Sequence, residues 1–175
     1  MKDSIMKIFE KLEQSKQEIL TFLRTQDSND LKRSAEGSWS MIQAMRHIQK
    51  TEESIMAYLT KKMQAGEGMR DRTIKGRIAL RFMFFAFFLR LKFKAPKSLP
   101  DPEITPLEEL ETDWNLSREQ MKNFIRDFPE KWKIKAIYKH PAGMRINLSD
   151  TIRFLNVHLR HHIHQVHRIK KSLGS

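Results

Sequence analysis

The chain has 175 residues, a net charge of +12 and no cysteine. Its length fits one domain spanning residues 1–175, which is long enough to bury a core without covalent cross-links. Because cysteine is absent, disulfides, thiolate metal ligands and a protein thiol nucleophile are all excluded.

The N-terminal segment and the apolar runs bear on the location of the protein. Lys7, Glu10 and Lys11 interrupt the N-terminal segment, so it lacks the apolar core of a signal peptide. The longest apolar run, Phe82–Leu89, has eight residues, whereas a helix needs about 20 to cross a bilayer. These features predict a soluble, cytoplasmic protein with no transmembrane segment.

Helical periodicity dominates the first half of the chain. Ser4–Arg24 has apolar residues at steps of three and four, which predicts an amphipathic helix. Met41–Gln64 shows the same pattern, with Ser40 as a suitable N-cap. A third segment, Ile74–Phe93, has helical spacing but is apolar on nearly all sides.

Two further helices are predicted in the second half. Leu107–Phe128 has a continuous apolar face, with Thr105 as its cap and Pro106 in its first turn. The last helix is predicted at Ser149–Leu173, with Ser149 as its cap.

Strand patterns are weak throughout the chain. Trp132–Tyr138 comes nearest to a two-residue alternation and is compatible with a short strand or an extended link. The predicted fold is therefore all-α, a four-helix bundle with an extra apolar helical segment between the second and third bundle helices.

The positive charge is concentrated between Arg70 and Lys97, where nine basic residues accompany one acidic residue. Such a window suits a solvated basic face, an acidic ligand or anionic lipid. Few aromatic residues alternate with basic ones elsewhere, so a nucleic-acid partner is not expected. The phenylalanines of Ile78–Phe93 predict buried packing or a dimer interface, with a membrane-surface helix as the alternative.

Five of the seven histidines lie within ten residues of the last predicted helix. His158 and His162 are four residues apart, so one helix face presents both rings, and Gln165 follows on that face. His164 and His167 point to other sides. The pair could bind a single cation if a third ligand came from another helix.

A candidate for the third ligand is His47, in the middle of the second helix beside its apolar stripe. Three neutral imidazoles suit Zn²⁺, Ni²⁺ or Fe²⁺ and leave a coordination position open. Spacing alone leaves other interpretations open, since such histidines also occur as hydrogen-bonded core residues, adventitious metal patches or pH-sensitive surfaces.

Two stretches of the chain resemble the DinB/YfiT-like superfamily. Gly37–Ser40 followed by His47 resembles the start of the second helix in that superfamily. The stretch His140–Val166 looks like its last helix and the loop before it. The signature there is H-x-x-x-H-x-x-Q, in which the two histidines are His158 and His162.

The resemblance implies a four-helix bundle that is often homodimeric. It implies a metal held by one histidine of the second helix and two of the last, here His47, His158 and His162. It also implies one of two activities on a small-molecule substrate. The first is metal-dependent transfer using a low-molecular-weight thiol, and the second is metal-dependent hydrolysis.

These activities need different partners at the metal. In transfer, a metal-held thiol of a small cofactor loses its proton and attacks an electrophile. Hydrolysis calls for a nearby general base. Glu52 and Glu53 lie off the face of His47, which leaves His161 as the nearest candidate, although its position also fits a surface residue. A third possibility is a non-enzymatic interaction protein or membrane-surface protein.

Overall fold

The computed structural model describes residues 2–35, 37–66, 70–71, 73–89, 101–141 and 143–174. Its α-helices are α1 (Lys2–Arg24), α2 (Ser28–Lys32), α3 (Met41–Gln64), α4 (Ile74–Phe88), α5 (Leu107–Asp127) and α6 (Leu148–Leu173). Its strands have two residues each and are β1 (Arg70–Asp71), β2 (Lys135–Ala136), β3 (Tyr138–Lys139) and β4 (Arg145–Ile146). The all-α prediction is confirmed, and the short helix α2 was not predicted.

Four of these helices form the bundle. α1 and α3 each contact both α5 and α6. The apolar stripes of the four helices meet in the centre, where Leu12, Ile48, Trp114 and Leu159 are almost completely buried. Burying one apolar stripe per helix is the main source of stability for helices in such an arrangement.

The N-cap of α3 agrees with the prediction. The Ser40 hydroxyl accepts a hydrogen bond from the backbone N–H of Gln43, and the Gln43 side chain accepts one from the backbone N–H of Ser40. This reciprocal pair satisfies two backbone donors that the helix itself cannot pair. The Gln43 amide also donates to the carbonyl oxygen of Pro102 at 2.8 Å, which ties the start of α3 to the segment before α5.

The other two predicted caps were wrong. α6 is capped by Asn147, whose side chain accepts the backbone N–H of Asp150 at 3.0 Å, so Ser149 lies inside the helix. At α5, the N-cap position is occupied by Pro106, which makes no side-chain cap bond. The Thr105 hydroxyl, predicted as the cap, is buried and has no hydrogen-bond partner among the residues that the structure describes.

The extra apolar segment forms α4, which contacts α6 and β4 on the outside of the bundle. It begins at Ile74 as predicted, and Thr73 caps it by accepting the backbone N–H of Gly76. It ends at Phe88 with Leu89 as its C-cap, and the rest of the predicted helix, residues 90–93, lies outside the described residues. None of the helices described here has both the length and the apolar character that crossing a bilayer requires.

A short hairpin precedes α6. β3 pairs antiparallel with β4, with Tyr138 opposite Ile146, and the turn between them includes Gly143 at a φ of 85°. The predicted extended stretch Trp132–Tyr138 contains the end of a 3-10 turn, all of β2 and the first residue of β3. The hairpin contacts α3 through β3 and α4 through β4, which places it beside α3, one of the two helices that carry the predicted metal ligands.

Candidate metal centre

Three histidines from two bundle helices come together where α3 packs on α6. They are His47 of α3 and, one turn apart on α6, His158 and His162. Their ligand nitrogen atoms all lie within 4.8 Å of one another. The ring centroids are 4.8 to 5.4 Å apart in the three pairs. This cluster could hold a metal ion, and it consists of the three residues predicted as ligands.

The distance between the two α6 imidazoles suits a shared cation. The Nε2 atoms of His158 and His162 are 3.2 Å apart. A tetrahedral ion with bonds of about 2.0–2.1 Å would separate two ligand nitrogens by about 3.4 Å. The spacing of this pair is therefore close to that of two ligands of one ion.

Gln165 fixes the orientation of one candidate ligand. The Nδ1 atom of His162 lies 2.7 Å from the amide oxygen of Gln165. Because an amide oxygen can only accept, Nδ1 carries the proton and Nε2 presents its lone pair to the cluster. The glutamine of the H-x-x-x-H-x-x-Q pattern thus holds the ring of this candidate ligand in the tautomer that a metal ion would require.

Burial keeps the three imidazoles neutral. It lowers the pKa of His47, and it lowers the pKa of His158 well below the usual range. It also lowers the pKa of His162, to about 3. Neighbouring imidazoles lower the pKa values of His158 and His162 further, because a second positive charge there would be repelled. Neutral imidazole is the form that binds a metal.

Trp39 covers one side of the cluster. Its ring centroid lies 4.9 Å from that of His47 and 6.2 Å from that of His162, to which it is nearly parallel. The indole N–H donates to a carboxylate oxygen of Asp101 at 2.9 Å, which holds the ring in place. In the sequence Trp39 was only part of the family motif, and its contact with two ligands was not predicted.

Two phenylalanines cover another side. Phe154 of α6 stacks on His158 with a centroid distance of 5.3 Å and an interplanar angle of 13°. Phe87 of α4 lies 6.0 Å from His158 and 5.2 Å from His161. Neither phenylalanine was predicted at the site. Phe154 lies four residues before His158, a spacing that could have indicated their contact.

The remaining histidines of α6 differ in their positions. His161 lies at the rim of the cluster, 5.4 Å from His162 between ring centroids, and burial lowers its pKa. His164 and His167 are exposed and lie on other sides of the helix, as predicted. His167 packs edge-on against Phe22 of α1 at 4.5 Å.

Glu52 does not belong to the site. It is almost completely buried and accepts hydrogen bonds from the Trp114 indole at 2.8 Å and from two nitrogens of Arg118 at 2.7 and 2.8 Å. It therefore joins α3 to α5. This agrees with the sequence analysis, which had placed Glu52 off the face of His47. Its place between Ile48 and Ile55, within the apolar stripe of α3, was the signal that could have identified a buried charge.

The comparisons with known proteins agree with this arrangement. A family model described as the DinB superfamily matches residues 11–166, which include all three clustered histidines and Gln165. No curated protein and no solved structure matches the chain. Since the family model covers most of the chain, the protein belongs to the DinB superfamily.

Proposed function

We propose that His47, His158 and His162 hold a divalent metal ion, Zn²⁺, Ni²⁺ or Fe²⁺, and that the protein is a metal-dependent transferase using a low-molecular-weight thiol. The observation that carries the proposal is the approach of three neutral imidazoles from two helices to within 4.8 Å. When bound, the cation supplies Lewis acidity, which favours the deprotonated form of a thiol or of a water molecule.

Two features of the chain are compatible with transfer. Three imidazoles leave at least one coordination position for an incoming group. The chain has no cysteine, so a sulfur nucleophile must come from a second molecule, as the proposed activity requires. The electrophile would be a small molecule that attaches to the sulfur when its own leaving group departs with the bonding electron pair.

The aromatic residues around the cluster are proposed to shield it from water. Trp39 and Phe154 limit the access of water to the imidazoles they cover. A drier site strengthens the electrostatic interactions within it and protects a reactive thiolate from solvent.

Hydrolysis is the second candidate function, and the position of His161 favours it. This residue lies beside His162, and its lowered pKa keeps the imidazole neutral near pH 7, in the form that accepts a proton. In this alternative His161 would remove a proton from the attacking water molecule.

A thiol-dependence experiment separates the two candidates. The metal-loaded protein would be incubated with an electrophilic substrate such as 1-chloro-2,4-dinitrobenzene, with and without each member of a thiol panel. Transfer predicts turnover that requires both thiol and metal, above the rate of the thiol alone. Hydrolysis of an ester panel in the absence of any thiol would support the alternative, provided that His161→Asn reduces it. Turnover unaffected by metal removal would contradict both.

We also propose a homodimer, on the basis of the family resemblance. One chain has a mass of 20.8 kDa, so light scattering of the purified protein should give twice this value. A single-chain mass throughout a concentration series would contradict the dimer and leave the metal proposal unaffected.

A further inference from the structure

The outward face of α4 carries an unbroken row of exposed apolar side chains. We name this row the outer stripe, and its members are between 50% and 75% exposed: Ile74, Ile78, Phe82, Phe85 and Leu89. Their spacing of three and four residues places them on one side of the helix. A contiguous exposed row of this kind marks an interaction surface, whereas single exposed apolar residues do not.

The opposite face of α4 already serves the core. Leu80 is buried, and Met83, Phe84 and Phe87 pack against the core of the bundle. Packing on the bundle therefore accounts for the inner residues only. The exposure of the outer stripe indicates a binding partner that contacts the helix from outside the bundle.

The charge around the outer stripe restricts what can contact it. α4 contains Lys75, Arg77 and Arg81 and no acidic residue. Arg81 is exposed and immediately precedes Phe82 of the stripe. The surrounding window of the sequence carries nine basic residues and one acidic residue. An apolar stripe within so basic a segment of the sequence, with Arg81 exposed beside it, favours a partner that is both apolar and anionic.

A second copy of the chain fits this face poorly. In a two-fold symmetric dimer, the same patch lies on both sides of the interface. The exposed Arg81 side chains beside the two stripes would then approach each other across a low-dielectric contact, where like charges repel strongly. The proposed homodimer is therefore expected to use another surface.

An anionic bilayer surface meets both requirements. α4 has 15 residues, which at about 1.5 Å per residue gives a helix of roughly 22 Å. This is shorter than the hydrocarbon core of about 30 Å, so the helix would lie in the plane of the membrane. There an apolar face enters the boundary between headgroups and acyl chains, and basic side chains contact anionic headgroups.

We propose that α4 docks the protein on anionic bilayer surfaces, with the outer stripe buried at the headgroup boundary and Arg81 facing acidic lipids. Docking involves neither the three histidines nor the open coordination position, so the tests of docking and of catalysis are independent of each other. The proposed partner is a bilayer surface that contains acidic phospholipids.

Vesicle flotation tests the docking surface. The full chain would be mixed with vesicles of phosphatidylcholine alone or with about a third phosphatidylserine, at physiological salt. Wild type is expected to float with the anionic vesicles and to remain unbound with the neutral ones. The double variant Phe82→Ser/Phe85→Ser is expected to bind at least about tenfold more weakly, because two aromatic side chains no longer enter the boundary.

Matched controls separate docking from general attraction of a basic protein. Leu116→Ser/Ile134→Ser removes two apolar side chains, each 58% exposed, from other parts of the surface and should leave binding unchanged. Arg81→Glu should weaken binding more than Lys122→Glu, which makes the same change in net charge on α5. Unfolding curves of every variant would confirm that each is folded, as expected for substitutions at exposed positions.

Three outcomes would overturn the proposal. The first is no binding of wild type to the anionic vesicles. The second is equal loss of binding in the stripe variant and its control. The third is conversion of a wild-type dimer to a monomer by Phe82→Ser/Phe85→Ser in light scattering, because a second copy would then occupy the face.

Discussion

At the scale of single residues, the two ring nitrogens of His162 have different partners. Nδ1 donates to Gln165, whereas Nε2 faces the Nε2 atom of His158 at 3.2 Å. For a histidine that only packs in the core, one hydrogen bond such as that to Gln165 would be enough, and its other ring nitrogen would not have to face a second imidazole. His47 approaches the same point from α3, so the three rings form a group that could hold a cation.

Loss of one imidazole should remove the metal. Metal content measured by mass spectrometry, on protein purified without a tag, is expected to be about one ion per chain for wild type and much less for His158→Ala. His164→Ala is the matched control, because His164 lies on the same helix but is exposed on another side. Equal, substoichiometric metal in wild type and His158→Ala would refute the site.

The stability of the metal-free protein should depend on pH. The pKa of His162 is about 3 in the folded protein, against 6.5 for an unperturbed histidine. Between these values the unfolded chain binds the proton and the folded protein does not, so acidification favours unfolding. His162 alone should lower the free energy of unfolding by about 2 kcal/mol between pH 7 and pH 5.

Urea denaturation at pH 7, 6 and 5 would measure this dependence. The pKa values of His47, His158 and His161 are lowered as well, so their contributions have the same sign. The variant His162→Gln should show a weaker dependence. A free energy of unfolding that stays constant from pH 7 to pH 5 would be incompatible with neutral, buried imidazoles.

At the scale of elements, polar contacts between helices set how α3 and α5 meet. Glu52 of α3 accepts from Trp114 and Arg118 of α5, and all three side chains are buried. Removing one member of such a pair leaves an uncompensated buried charge, which costs about 3–5 kcal/mol. The contact therefore constrains α3, the helix that carries His47, without taking part in metal binding.

The cap of α6 gives a second prediction at this scale. Asn147→Ala should destabilise the protein by about 1 kcal/mol, because the backbone N–H of Asp150 loses its side-chain acceptor. Ser149→Ala should have little effect, since Ser149 lies within the helix and does not cap it. Urea denaturation of both variants gives the comparison, and a larger loss for Ser149→Ala would mean that the cap is misassigned.

At the scale of the whole molecule, the histidine cluster joins the two halves of the chain. His47 lies in α3, early in the sequence, while His158 and His162 lie in the final helix. A metal held there would cross-link α3 and α6 in the folded state only. The unfolded chain cannot bring the three imidazoles together at comparable cost.

Metal binding should therefore stabilise the fold. Added Zn²⁺, Ni²⁺ or Fe²⁺ should raise the free energy of unfolding by about 2.7 kcal/mol when free metal is about 100 times the dissociation constant. Thermal unfolding of the metal-free protein, titrated with each ion, would measure the shift. His47→Ala should show none, and an equal shift in this variant would place the binding elsewhere on the chain.

The sequence by itself determined the five long helices and two of the three candidate ligands. Apolar residues repeat every three or four positions, a local pattern that predicted the bounds of α3 and the start of α4 correctly. The same geometry paired His158 with His162. The family resemblance was needed to add His47, because spacing within one helix carries no information about a ligand from another.

Only the tertiary structure decided which faces of the helices meet and what surrounds the cluster. It brought His47 to α6, placed Trp39 and Phe87 against the imidazoles and showed which side of α4 faces outwards. A helix that is apolar all round has no periodic signal to distinguish its buried side from its exposed one. That distinction depends on packing between distant segments, which no local pattern encodes.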